Sequence, residues 1–154
     1  FLLKIFLINL SKLYKKKVII CLHPSSNYKI YSNYLKKFKI TKYKTIEYIN
    51  KSFLVIFHES SSVFNAIFLK KKIISIYSKT MGSYLNEKIR TYKEKIGLYS
   101  YNLDNQNSLK SKKLLIDLNR RKYTKYVKEN INPDGNIPGK IKIINEINKN
   151  FFLN

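Results

Sequence analysis

Three short apolar runs constrain the fold of this chain more than any other feature: Val18 to Leu22, Phe53 to Phe57 and Ile73 to Tyr77. Each is continuous rather than alternating, the pattern of a strand buried on both faces of a parallel sheet. Residues at helical spacing precede and separate them. Leu3, Phe6, Leu7, Leu10, Leu13 and Tyr14 share one helix face, and the helix runs into Lys15, Lys16 and Lys17, cations suited to its C-terminal dipole. Tyr28, Ile30, Tyr31, Tyr34, Leu35 and Phe38 repeat the period, Thr45 to Asn50 forms another helical stretch, and Val63 to Leu69 reads as a helix opened by a serine cap. Strands alternating with helices of these lengths predict right-handed βαβ units, hence an α/β, Rossmann-like three-layer sandwich with a parallel sheet.

Beyond Gly82 the pattern is helical and more polar through Lys95, followed by one short strand within Leu98 to Leu103. A long helix is expected from Ser108 to about Asn130, then a loop marked by Pro133, Gly135, Pro138 and Gly139, then an amphipathic helix from Lys140 to Phe152. These are the C-terminal helices of the expected sandwich. No repeat or linker divides the 154 residues, so they read as a single domain. The chain lacks an initial Met and is expected to be a fragment of a longer two-domain protein. Its apolar start, Phe1 to Leu10, contains Lys4 and falls short of the roughly 20 residues a membrane-spanning helix needs.

Charge points less clearly to a partner. Lys and Arg number 31 against 9 Asp and Glu, a net charge of +22, yet only Arg90, Arg120 and Arg121 are arginines. The lysines travel with abundant Ile, Asn and Tyr, all residues with AT-rich codons. Recognition of bases and phosphates favours the planar guanidinium over the ammonium, so no specific nucleic-acid partner is expected. Clusters at Lys15 to Lys17, at Lys36, Lys37 and Lys39, and at Lys70 to Lys72 read as solvated faces, with peripheral attraction to an anionic membrane as the alternative. The single Cys21 excludes an internal disulfide, and no CxxC or Cys/His cluster offers a zinc site. A reducing, cytoplasmic location and the use of no metal or cofactor are expected.

Chemistry concentrates at two turns built alike, each a strand followed by a hydroxyl-rich turn and a helix: His23-Pro24-Ser25-Ser26 and His58-Glu59-Ser60-Ser61-Ser62. They are expected at the carboxyl ends of adjacent parallel strands, the edge where ligands bind in open α/β sheets. Unpaired N–H groups at a helix start, together with short hydroxyls, suit a phosphate. A cap needs only one hydroxyl, and three in a row leave ligand binding open beside capping. His23 fits either a phosphate donor or a histidine satisfied by backbone at a strand end. His58 reads as structural, and Glu59 as a solvated turn carboxylate, with a ribose or base contact as the alternative. There is no GxGxxG, no GxxxxGK[ST], no GxSxG elbow and no evident carboxylate pair, so dinucleotide, P-loop and hydrolase chemistry are disfavoured and no catalytic residue is assigned.

The order and spacing of these turns resemble the C-terminal, donor-binding half of GT-B glycosyltransferases of the bacterial capsule and surface-polysaccharide type. The sialyltransferase and polysialyltransferase-like families are the nearest in pattern. The HP motif of those families is matched by Ile20-Cys21-Leu22-His23-Pro24, and their H-x-S-[ST] motif by His58-Glu59-Ser60-Ser61, with a helix and strand behind it through Ile73. Cys21 stands where a basic residue is common, and Lys72 where proline is usual. The resemblance implies that His23, Ser60 and Ser61 bind the phosphate of a nucleotide-sugar donor, a CMP-sugar by preference, with Ser25 and Ser62 as neighbours. It also implies a glycan acceptor, and a catalytic carboxylate in an N-terminal half, without which this domain binds donor weakly and catalyses nothing. The alternatives are a noncatalytic lysine-rich module binding nucleic acid or anionic membrane, and a sugar-nucleotide epimerase-like enzyme with the same phosphate geometry.

Overall fold

The apolar face read at the N-terminus forms helix α1, Leu2–Tyr14, which buries Phe6, Leu7 and Leu10. It ends where Lys15 takes a left-handed φ of 52°, which lets the Lys16 N–H donate to the Ser11 carbonyl at 3.2 Å. The computed structural model of the chain describes residues 2–105 and 120–131. Within them follow β1 (Ile19–Cys21), α2 (Tyr28–Leu35), β2 (Lys39–Thr41), α3 (Thr45–Lys51), β3 (Leu54–Phe57), α4 (Ser62–Phe68) and β4 (Lys72–Tyr77). A 3-10 turn, Lys79–Met81, leads into α5 (Gly82–Ile96), β5 (Tyr99–Asn102) and α6 (Arg120–Tyr126), whose end widens into a π turn at Val127–Ile131. Gly97, at φ 72°, closes α5 by donating its N–H to the Lys93 carbonyl at 2.9 Å.

Every strand pair among the described residues is parallel. The strands nevertheless form two sheets, β1-β2 and β3-β4-β5, rather than the single sheet expected. The difference traces to Lys39-Ile40-Thr41, whose short strand pairs with β1 in the register Ile19↔Lys39 to Cys21↔Thr41. The turns at His23 and at Ser60 therefore close strands of different sheets, not hydrogen-bonded neighbours.

Strand β4 is the centre of the fold. Ile74 and Ile76 face Phe6, Leu7 and Leu10 of α1, together with Tyr101 and Leu103. Ile73, of opposite parity, packs with Ile49 of α3, Val63, Ala66 and Ile67 of α4, Ile96 of α5 and Tyr123 of α6. Helices thus cover both faces of β4, which explains its continuous apolar run, and the fold is α/β with parallel sheets. Val18 and Ile20 join Leu54 and Ile56 against the α1 side, so the two sheets share that core without sharing a ladder. Burial on both faces, expected for all three runs, is complete for β4 and partial for β3, whose Leu54 and Ile56 meet one core while Val55 and Phe57 meet the other, whereas Ile19 in β1 is 37% exposed. The short strand expected before Asp104 is β5. The helix expected from Ser108 to about Asn130 overlaps α6 and the π turn after it, while its first part, the loop at Pro133 to Gly139 and the helix from Lys140 lie outside the described residues.

Candidate functional site

The first turn begins where the Leu22 N–H donates to the Thr41 carbonyl at 2.9 Å, the last bond of the β1-β2 ladder. His23 follows, exposed, and organises the turn around its own ring. The Ser25 N–H donates to His23 Nδ1 at 3.2 Å, the Ser25 hydroxyl lies 2.6 Å from the same nitrogen, and the Ser26 N–H donates to the His23 carbonyl at 2.9 Å. Nδ1 must offer its lone pair to the Ser25 N–H, so the neutral ring carries its proton on Nε2. That Nε2–H has no partner among the described residues. Asn27 caps α2, its side-chain oxygen accepting from the Lys29 N–H at 3.0 Å.

A residue overlooked in the sequence holds this turn from the neighbouring strand. Lys42, directly after β2, donates from Nζ to the carbonyls of Pro24 at 3.1 Å and Ser26 at 2.5 Å. It adds a fixed positive charge beside His23. Tyr43 follows at φ 60°, 79% exposed.

The second turn is built differently. His58 and Glu59 are exposed, and Glu59 is paired with Lys88 of α5 at 2.6 Å. The Glu59 carboxylate, aided by the Tyr84 hydroxyl, holds the Lys88 ammonium above its ordinary pKa, and Lys88 lies 4.5 Å from the centre of the Tyr84 ring. Glu59 is thus a surface carboxylate with a cation partner. The serine cap expected for α4 takes an unexpected form. Ser61, at the cap position, makes no side-chain cap bond, while the Ser60 hydroxyl accepts from the Ser62 N–H at 3.2 Å. The Val63 and Phe64 N–H groups donate to the Ser60 and Ser61 carbonyls, both at 3.1 Å. Backbone donors of this first turn are therefore largely used internally. The turn offers hydroxyls instead: those of Ser61 and Ser62 have no partner among the described residues.

The structure brings His23 together with Ser25, and Ser60 with Ser62. No hydrogen bond joins the two groups among the described residues. A third strand-end turn of the same kind, Ser78-Lys79-Thr80, went unread. There Asp104, beyond β5, accepts from the Ser78 hydroxyl at 2.9 Å and the Lys79 N–H at 2.8 Å, which together hold its carboxyl below the ordinary range. These contacts tie the end of β5 to the end of β4, and Asn86 of α5 adds a bond to the Ser78 carbonyl at 3.2 Å. The hydroxyl pattern after Tyr77 was the available signal.

Cys21 is half-buried, and burial pushes its thiol above the ordinary pKa. Among the described residues no group of three His, Cys, Asp or Glu side chains is placed to hold a metal ion. None of the described helices is long and apolar enough to cross a membrane. Comparisons with family models, with curated proteins and with solved structures each find no match to this chain.

Proposed function

We propose that the chain is the donor-binding half of a bacterial glycosyltransferase of GT-B architecture that builds surface polysaccharide, with a Rossmann-like core. Its substrate in this reading is a nucleotide sugar, a CMP-sugar by preference. The observation that carries the reading is the His23 turn: a histidine at the end of a parallel strand, with Nδ1 engaged by Ser25 and Nε2–H left to donate. Lys42 adds charge of the sign a phosphate needs, and Ser60, Ser61 and Ser62 supply hydroxyls at the end of β3.

Departure of the nucleotide in glycosyl transfer places negative charge on a phosphate oxygen. Donors already oriented toward that oxygen stabilise the leaving group more than they stabilise the bound donor, and so favour the transition state. His23 Nε2–H and the hydroxyls of Ser61 and Ser62 are suited to this task because no group among the described residues has to release them first. The catalytic carboxylate belongs, in this reading, to an N-terminal half, and the acceptor is a glycan. The reading puts the work in the cytoplasm, at the inner surface of the membrane, where the exposed lysines meet anionic lipid.

Titration calorimetry of the chain with CMP and UDP tests the assignment. Saturable binding, tighter for CMP and weakened by His23→Ala and by Ser60→Ala, is the expected result. Absence of saturable binding, or binding indifferent to both substitutions, overturns it. The net charge of +22 favours a second reading, a lysine-rich module for nucleic acid or anionic membrane. That reading predicts binding to DNA or to anionic vesicles that falls steeply with salt and survives removal of the serines.

A further inference from the structure

A nucleotide held by its phosphate also presents a base, and the loop after β2 carries a surface suited to one. Cys21 and Thr41 are register partners in parallel strands, and His23 and Tyr43 each follow by two residues, so both lie just beyond the same end of the β1-β2 sheet. Neighbouring strands lie about 4.8 Å apart, a gap that a pentose bridges. Lys42 fixes the two loops to each other through the Pro24 and Ser26 carbonyls.

Tyr43 is distinctive in two independent ways. It is 79% exposed, the highest value among the exposed large apolar side chains, and its ring has no aromatic, cationic or hydrogen-bond partner among the described residues. Its φ of 60° is a left-handed conformation that a bulky L-residue adopts only at a cost and that Gly or Asn would hold more easily. The other two non-glycine residues with positive φ among the described residues, Lys15 and Lys70, have a local reason for it. Each closes a helix, allowing the next N–H to reach back, from Lys16 to Ser11 and from Lys71 to Ala66. Tyr43 closes no helix, and among the described residues no hydrogen bond or ring contact of its side chain offsets its strain. Backbone strain without a structural return, on a rigid edge beside a phosphate-type turn, points to a ligand.

We infer that Tyr43 is the stacking platform for the nucleobase of a nucleotide whose phosphate lies at the His23–Ser25 turn. The inference rests on the nucleotide-binding reading above and adds the base to it. A base presents an apolar face on which an exposed phenol ring stacks, and stacking of this kind accounts for about 5- to 150-fold in affinity per base.

Titration of the full chain with CMP and with ribose 5-phosphate separates base from phosphate. The wild type is expected to bind CMP more tightly than ribose 5-phosphate. Tyr43→Ala and Tyr43→Gly should weaken CMP by about 5- to 150-fold and leave ribose 5-phosphate unchanged, whereas Tyr43→Phe should retain CMP affinity. His23→Ala should weaken both ligands. Tyr43→Gly takes the left-handed conformation freely and should not lower the melting temperature, which separates lost stacking from lost structure. If CMP affinity survives Tyr43→Ala and Tyr43→Gly while His23→Ala reduces it, the inference falls and the phosphate reading stands. Equal weakening of both ligands makes Tyr43 a support for the loop and overturns stacking. A wild type that binds neither ligand overturns both.

Discussion

Replacing Lys42 by Met removes the ammonium that grips the His23 turn while keeping most of the aliphatic stem. A hydrogen bond with one charged partner contributes about 1.5–3 kcal/mol net. The bond to the Pro24 carbonyl lies in solvent and is replaced there by water, so the 2.5 Å bond to the part-buried Ser26 carbonyl dominates the loss. Discounting that bond for its partial exposure leaves about 1–2 kcal/mol for Lys42→Met, or a melting temperature lower by roughly 2–8 °C. Urea denaturation followed by circular dichroism measures the loss. Amide exchange locates it, because the Ser25 and Ser26 N–H groups that bond within the turn should exchange faster. Lys37→Met, which removes the same charge from an exposed position, should change stability by less than about 0.5 kcal/mol. Equal effects of the two substitutions, or unchanged exchange at Ser25 and Ser26, would refute the view that Lys42 clamps the turn.

Other consequences reach the core and the strand ends. Phe6 is fully buried, with its ring 4.7 Å from that of Tyr101, so Phe6→Ala should cost about 3–5 kcal/mol in urea denaturation, whereas the exposed Phe68→Ala should cost little. Asp104 has a folded pKa below its ordinary 3.8, so its contribution is present above that pH and is lost as pH falls through the folded value. Asp104→Asn should therefore flatten the acid limb of a stability–pH curve, and an unchanged limb would contradict the assignment. Burial raises the Tyr123 phenol above its ordinary 10.0, which makes stability fall as pH rises beyond that value, and Tyr123→Phe should reduce that fall in alkaline melts, the rest coming from Tyr14, Tyr99 and Tyr126, which burial raises in the same direction.

The legible parts of the fold are those where burial imposes a pattern. Ile73 to Tyr77 reads as a two-faced strand because β4 has helices on both sides, and the α1 face reads because Phe6, Leu7 and Leu10 meet one core. Lys39-Ile40-Thr41 was overlooked because it borders a two-stranded sheet, leaves Lys39 exposed and owes its extended form to β1 rather than to composition. The split into two sheets follows from that strand and was equally out of reach. At the site, the His23 and Ser60 turns are visible as strand-end hydroxyl clusters. The grip of Lys42 on Pro24 and Ser26 spans 16 to 18 residues and exists only once β1 and β2 pair. Nothing local marks Tyr43 for a left-handed backbone, since tyrosine carries no preference for it.

The chain has two histidines, and this makes the central claim open to one direct measurement, the nitrogen–proton correlation spectrum of the imidazoles during a CMP titration. The account predicts that His23 carries its proton on Nε2 in the free protein, and that this nitrogen shifts saturably with CMP while His58 stays in place. A His23 ring protonated on Nδ1 instead, or one whose resonances ignore CMP at saturating concentration, would contradict it.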